Sequence, residues 1–110
     1  MKHIILTLSL LLVISAGCKK KLVIEAPACI KAKIAQIVYA QDSYVGQVDE
    51  YIFKNKKVYA FKDSGIADGQ TPIYDENCNQ VCALGGLLGT MMCDGENFNN
   101  AVFVRTVWKR

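Results

Sequence analysis

A chain of 110 residues that is 52% apolar, with 13 Lys and Arg against 10 Asp and Glu, holds one domain and leaves no room for a second. The charge excess sits at the start: from residue 22 onward nine cations stand against ten carboxylates, so the folded part carries no basic surface for nucleic acid. The single histidine, His3, lies in the first few residues, which leaves the rest of the chain without an imidazole for a catalytic triad, a metal triad or a proton shuttle.

Met1, Lys2 and His3 precede an uncharged apolar run over residues 4–17, which ends at Cys18. A positive start, a short apolar stretch and small residues before a cut make a secretory signal. Spanning a bilayer takes about 18 apolar residues or more, and this run is shorter. Ser15, Ala16, Gly17 and Cys18 resemble a bacterial lipobox, with Ser15 where Leu is usual and Ile14 one place earlier. The expectation is a lipoprotein signal peptide at 1–17, a palmitate-type acylated thiol at Cys18, a basic tether at 18–26 and a single domain at 27–110. Each buried methylene of an acyl chain contributes about 0.8 kcal/mol, so two or three chains anchor durably. Lys19, Lys20 and Lys21 would lie at the headgroups, where each adds about 1 kcal/mol on an anionic leaflet. The expected place is the cell envelope, at an outer membrane and facing the periplasm, with the membrane as a partner through the lipid.

Pro27 opens an amphipathic pattern in which Ile30, Ile34, Ile37 and Val38 recur at helical spacing while Lys31, Lys33 and Gln36 occupy other faces. This predicts a helix of about three turns with a core-facing stripe. Residues 48–53 and 58–61 are β-branched and aromatic around the polar run 54–57, which predicts an antiparallel hairpin with Asn55 in a left-handed turn. Asp49 and Glu50 alternate across the first of these strands and read as a solvated edge rather than an acid/base couple. Pro72, Ile73 and Tyr74 predict a third short strand and residues 101–108 a fourth. In that last strand Val102, Val104, Thr106 and Trp108 are expected on one face, with Phe103, Arg105 and Val107 on the other. The expected fold is α+β: one N-terminal helix packed on a small antiparallel sheet of about four strands, stapled by disulfides.

Four cysteines follow the anchor: Cys29, Cys78, Cys82 and Cys93. In an oxidising compartment they predict two bridges. Cys78 and Cys82 are four apart, so on a helical turn they share a face and each can reach one of the distant pair. A bridge from Cys29 to either closes a loop of about 50 residues and contributes about 4 kcal/mol; the other bridge is local. Zinc is disfavoured, since Cys-x3-Cys with two distant singles fits zinc-ribbon spacing poorly and thiolates oxidise outside the cytoplasm.

The stretch Tyr74-Asp75-Glu76-Asn77-Cys78-Asn79-Gln80-Val81-Cys82-Ala83-Leu84-Gly85-Gly86 is the most distinctive in the chain. With Glu50-Tyr51 and Lys57-Val58-Tyr59 before it, and Asp94-Gly95 and Phe98 after it, it resembles an uncharacterised domain-of-unknown-function family of small Bacteroidota-type envelope lipoproteins. The chain departs from that family at Ser64 and Gly65, where many members carry adjacent cysteines, and in the apolar character of Leu87, Leu88, Met91 and Met92. The resemblance implies a fold and a location but no activity, since that family has none assigned.

Asp75, Asn77 and Asn79 alternate like the opening ligands of an EF-hand, which makes them calcium candidates. Gln80 stands where that loop needs Gly and Gly86 where it needs a bidentate Glu, so capping of a turn and of a helix start is the simpler role. Leu87, Leu88, Met91 and Met92 are expected either to fold over the open sheet face and finish the core or, if exposed, to form an interface with a protein or lipid. No cofactor motif and no catalytic constellation is present. The sequence therefore points to a non-enzymatic binding or structural module with a protein or small ligand as partner. The alternative is a periplasmic inhibitor or calcium-dependent adaptor that uses residues 75–92.

Overall fold

A computed structural model describes residues 24–66 and 69–110. The expected signal peptide, the acylation site Cys18 and the three lysines behind it lie outside the described residues.

Helix α1 spans Ala28–Tyr39 and is entered through Pro27, whose φ of −54° is already helical and whose carbonyl accepts from the Lys31 N–H at 3.0 Å. Ile30 and Ile34 are wholly buried and Ile37 packs beside them, whereas Val38, the last residue of the expected stripe, is exposed. At the other end the Gln41 N–H donates to the Val38 carbonyl at 3.2 Å and the Asp42 N–H to the Ile37 carbonyl at 3.1 Å, the two bonds of a Schellman cap. Gln41 holds the left-handed position, at φ 52°, where a side chain is disfavoured by roughly 1 kcal/mol. Gln41→Gly is accordingly expected to raise the unfolding free energy by about 0.5–1 kcal/mol, measured as a higher urea midpoint; a lower midpoint would contradict this cap.

The strands are β1 Val45–Phe53, β2 Lys56–Asp63, β3 Gln70–Asp75, β4 Gln80–Gly85, β5 Met92–Cys93, β6 Glu96–Asn97 and β7 Val102–Lys109. Five of them form one antiparallel sheet in the order β4-β3-β2-β1-β7, and β5 with β6 makes a small separate ribbon. Lys54 and Asn55, both at positive φ, close the β1–β2 hairpin in two residues, tighter than the four-residue loop expected from the polar run. The α+β class holds, but the main sheet has five strands rather than about four, and the helix begins at Ala28, inside the chain and not at its N terminus. The extra strand is β4, which occupies the stretch expected to make a helical turn.

Each face of the sheet carries its own core. On one face Ile30 and Ile34 of α1 meet Val48, Tyr59, Phe61 and Trp108. On the other, Phe53, Val58, Ala60, Ile73 and Leu84 are covered by Cys93 and Phe98. That second cover follows from the topology: β4 and β7 are the two edges, so residues 86–101 must cross a distance of four strand spacings, about 19 Å, to join them. The 3-10 turn Phe98–Asn100 ends the crossing, with the Asn97 side chain accepting from the Asn99 N–H at 2.8 Å.

Simple alternation fails in β7. Trp108 pairs with Val48 and Arg105 with Glu50, while Thr106 pairs with Asp49 and Phe103 with Tyr51, because the register slips at Val48/Asp49 and again at Glu50/Tyr51. Thr106 and Trp108, expected on one face, therefore lie on opposite faces.

Candidate functional site: a cleft under the crossing segment

The crossing segment covers only part of its face. Between it and the upper half of the sheet lies an open cleft of about 550 Å³. Its floor is Tyr51, Ala60 and Leu84; Phe98, Asn99 and Met91 of the crossing segment form a wall, and Lys62, Asp63 and Thr71 supply polar groups at the rim. The wall is held in place twice. The Phe98 ring meets Tyr51 and Phe53, each at a centroid separation of 5.1 Å, and Cys82–Cys93 bonds β4 to the segment covalently. Small-molecule sites are usually concave, of this size, apolar in lining and furnished with a few convergent polar groups.

Behind Lys62 sits a buried polar constellation. Asp49, 2% exposed, accepts from the Gln47 side-chain amide at 2.8 Å and the Thr106 hydroxyl at 2.8 Å, and its second oxygen pairs with the Lys62 ammonium at 2.7 Å. Burial alone would raise the Asp49 pKa, but these bonds together with the lysine charge pull it below the usual carboxylate range. Burial opposes the charge on Lys62 likewise, and Asp49 with the neighbouring Tyr51 outweighs it, so the ammonium is held more firmly than a free lysine. Glu50, 4% exposed, points to the opposite face and pairs with Arg105 at 3.3 Å. On that side burial, and next the Glu50 carboxylate, push the Tyr59 phenol above its ordinary pKa. The expectation of a solvated edge at Asp49 and Glu50 is overturned: β7 pairs outside β1 and makes it an inner strand, and each carboxylate is neutralised by its own cation.

The signs for the cleft pair define a pH window. The folded pKa of Asp49 is lowered, so its contribution is present above the unfolded value of about 3.9 and is lost as pH falls through the folded value. That of Lys62 is raised, so its contribution is complete below about 10.4 and is lost as pH rises through the folded value. Asp49→Asn is expected to cost about 1–2 kcal/mol at neutral pH and to flatten the acid limb of the stability curve, read from urea midpoints between about pH 3 and 7. An unchanged acid limb would show that Asp49 is not charged and paired.

The remaining sequence candidates fall elsewhere. Cys29–Cys78 and Cys82–Cys93 are the two bridges, separated by 49 and 11 residues, the long-plus-local arrangement expected. Cys78 and Cys82 are not on a helical turn, however: Cys78 is in a left-handed turn at φ 64° and Cys82 is in β4. Asp75, Asn77 and Asn79 form that turn. One Asp75 oxygen accepts from the Asn77 and Asn79 backbone N–H groups at 2.8 and 2.9 Å, and the other faces the Asn79 amide at 3.3 Å. These bonds, the Asn79 backbone N–H foremost, hold the Asp75 pKa low. Among the described residues no three His, Cys, Asp or Glu side chains gather as metal ligands. Leu87 and Leu88 are 86% and 92% exposed, so the cover over the sheet comes from Cys93 and Phe98 and not from this tip, while Met91 reaches the cleft and Met92 stays exposed. No described helix is long and apolar enough to cross a membrane.

A family model described as a domain of unknown function, DUF6970, matches residues 36–110. The chain belongs to the DUF6970 family. No curated protein and no solved structure matches the chain. The DUF6970 match takes in the last turn of α1, the whole sheet, the crossing segment and the Cys82–Cys93 bridge, and leaves Cys29 outside. Cleft and constellation thus lie entirely within the family domain. Sequence reasoning missed Lys62, Asn99 and the inner placement of Asp49. The only signal for that placement was two consecutive carboxylates in an otherwise apolar strand.

Proposed function

We propose that this DUF6970 chain is a non-enzymatic binding module, held at the cell envelope by an acylated Cys18, whose binding site is the cleft beneath the crossing segment. The observation that carries the reading is the cleft itself, with an apolar floor, one firmly protonated lysine and a wall fixed by a disulfide and a buried Phe. Its chemistry fits a small amphipathic ligand, or an extended segment of a protein, with polar atoms at the Lys62 and Asn99 end. The carboxylates support binding over catalysis, since Asp49 and Glu50 face opposite sides of the sheet and each is already paired.

Photocrosslinking in intact envelopes tests this. A photoreactive residue in place of Asn99 is expected to capture a defined ligand or partner that the same group in place of Tyr39, exposed on α1, does not. Equal capture from both positions would end the cleft reading. Loss of palmitate labelling and membrane fractionation in Cys18→Ala is the matching result for the anchor. A second reading, a periplasmic inhibitor acting through residues 75–92, draws on the exposure of Leu87 and Leu88. It requires Leu87→Ser with Leu88→Ser to abolish capture while the protein stays folded.

A further inference from the structure

We infer that the outer edge of β7, at Val102, Phe103 and Val104, is a membrane-contact surface that the acylated chain lays against the headgroup layer holding its lipid. This rests on the anchor proposed above. Among the described residues β7 is paired on one side only, by β1, and these three consecutive apolar residues are 64%, 54% and 44% exposed. Val102 pairs with Ile52 and Phe103 with Tyr51, neighbours in β1, so the apolar side chains clothe the edge from both faces of the sheet. The opposite edge, β4, is partly covered by its bridge to Thr90 and by Cys82–Cys93. An edge strand left open and apolar is unusual unless something lies against it.

The path of the chain says what does. The Arg105 guanidinium donates to the Glu25 carbonyl, and Ile24 packs in the core that Trp108 shares, so the segment arriving from Cys18 reaches the domain at β7. Ile24 is six residue-to-residue steps from Cys18, a reach of at most about 21 Å. At about 3.3 Å per residue, Val102 to Val104 lie within about 10 Å of Arg105 along the strand. The lipid therefore holds its bilayer beside this edge. The unpaired N–H and C=O groups of an edge strand keep it out of the hydrocarbon, but water and phosphate oxygens in the headgroup layer satisfy them while the apolar side chains sink.

The test uses the full chain, produced in a bacterium that acylates lipoproteins and reconstituted in phosphatidylcholine vesicles with brominated acyl chains. Trp108 is the only tryptophan, so Trp108→Phe combined with Phe103→Trp or with Leu87→Trp places one reporter at each edge. Both proteins are expected to float with the vesicles, with emission from position 103 quenched about twofold and that from position 87 unchanged. Floating protein with no quenching at 103, or with equal quenching at 87, overturns the surface and leaves the anchor standing. Protein that does not float, behaving like Cys18→Ala, overturns both. Because Trp108 is a core residue, hydrogen exchange on the unsubstituted sequence gives a second reading. Amides 102–104 should exchange about fivefold more slowly in the vesicle-anchored protein than in Cys18→Ala, with 86–89 unaltered; equal rates at 102–104 overturn the surface.

Discussion

Cys29→Ser with Cys78→Ser is expected to lower the unfolding free energy by about 4 kcal/mol, against about 3 kcal/mol for the same change at Cys82 and Cys93. The difference follows from loop length, 49 residues against 11, since a longer closed loop removes more freedom from the unfolded chain. It matters here because a domain of this size has a total stability of roughly 4–13 kcal/mol. The long bridge is also the one disulfide that ties α1 to the β3–β4 turn among the described residues. Without it the helix is held by Ile30, Ile34, the Lys33 ammonium over the Tyr74 ring at 4.4 Å and the backbone contact of Arg105. Urea midpoints with slopes give both values. A larger loss from the short bridge would mean that the crossing segment, and not the helix, is the part most dependent on covalent help. The two variants should also differ in where they loosen: opening Cys29–Cys78 should speed amide exchange in α1, and opening Cys82–Cys93 should speed it in residues 86–101.

What the sequence disclosed and what it hid divide by range of interaction. The helix was legible because Ile30, Ile34 and Ile37 repeat at its period, and the hairpin because β-branched and aromatic runs flank Asn55; both are decided within a dozen residues. The motif around Asp75 and Cys78 was legible as a family signature and as a turn, and the match over residues 36–110 bears out the resemblance to a domain-of-unknown-function family. Strand β4 was hidden because Cys78 and Cys82 share helical spacing, and only pairing with β3 shows Gln80–Gly85 to be extended. The faces of β7 were hidden because two bulges arise from its fit to β1, not from its own residues. The largest omission has the same cause. That Asp49 is buried depends on residues 86–101 crossing the whole sheet so that β7 can pair outside β1, and the cleft exists because this crossing segment is pinned at Cys93 and Phe98 and leaves part of that face open.

Phe98→Ala is expected to cost about 3–4 kcal/mol, while Leu87→Ser with Leu88→Ser, in the same crossing segment, should stay within about 0.5 kcal/mol. Phe98 is buried against Phe53, Val58, Ala60 and Ile73 with its ring edge on Tyr51, so truncation removes burial, leaves a cavity and breaks two aromatic contacts. Leu87 and Leu88 lose nothing on substitution because they are already in water. Phe98→Leu, which keeps most of the volume, should cost about 1–1.5 kcal/mol. The same residue walls the cleft, so the loss has a functional side: in Phe98→Ala at a temperature where the protein remains folded, capture from position 99 should fall, and amides of Tyr51 and Ala60 should exchange faster. A cost below about 1 kcal/mol for Phe98→Ala would mean that the crossing segment does not close the second face. The cleft, which exists only because that segment is held down at one end, would then have no fixed wall to recognise anything.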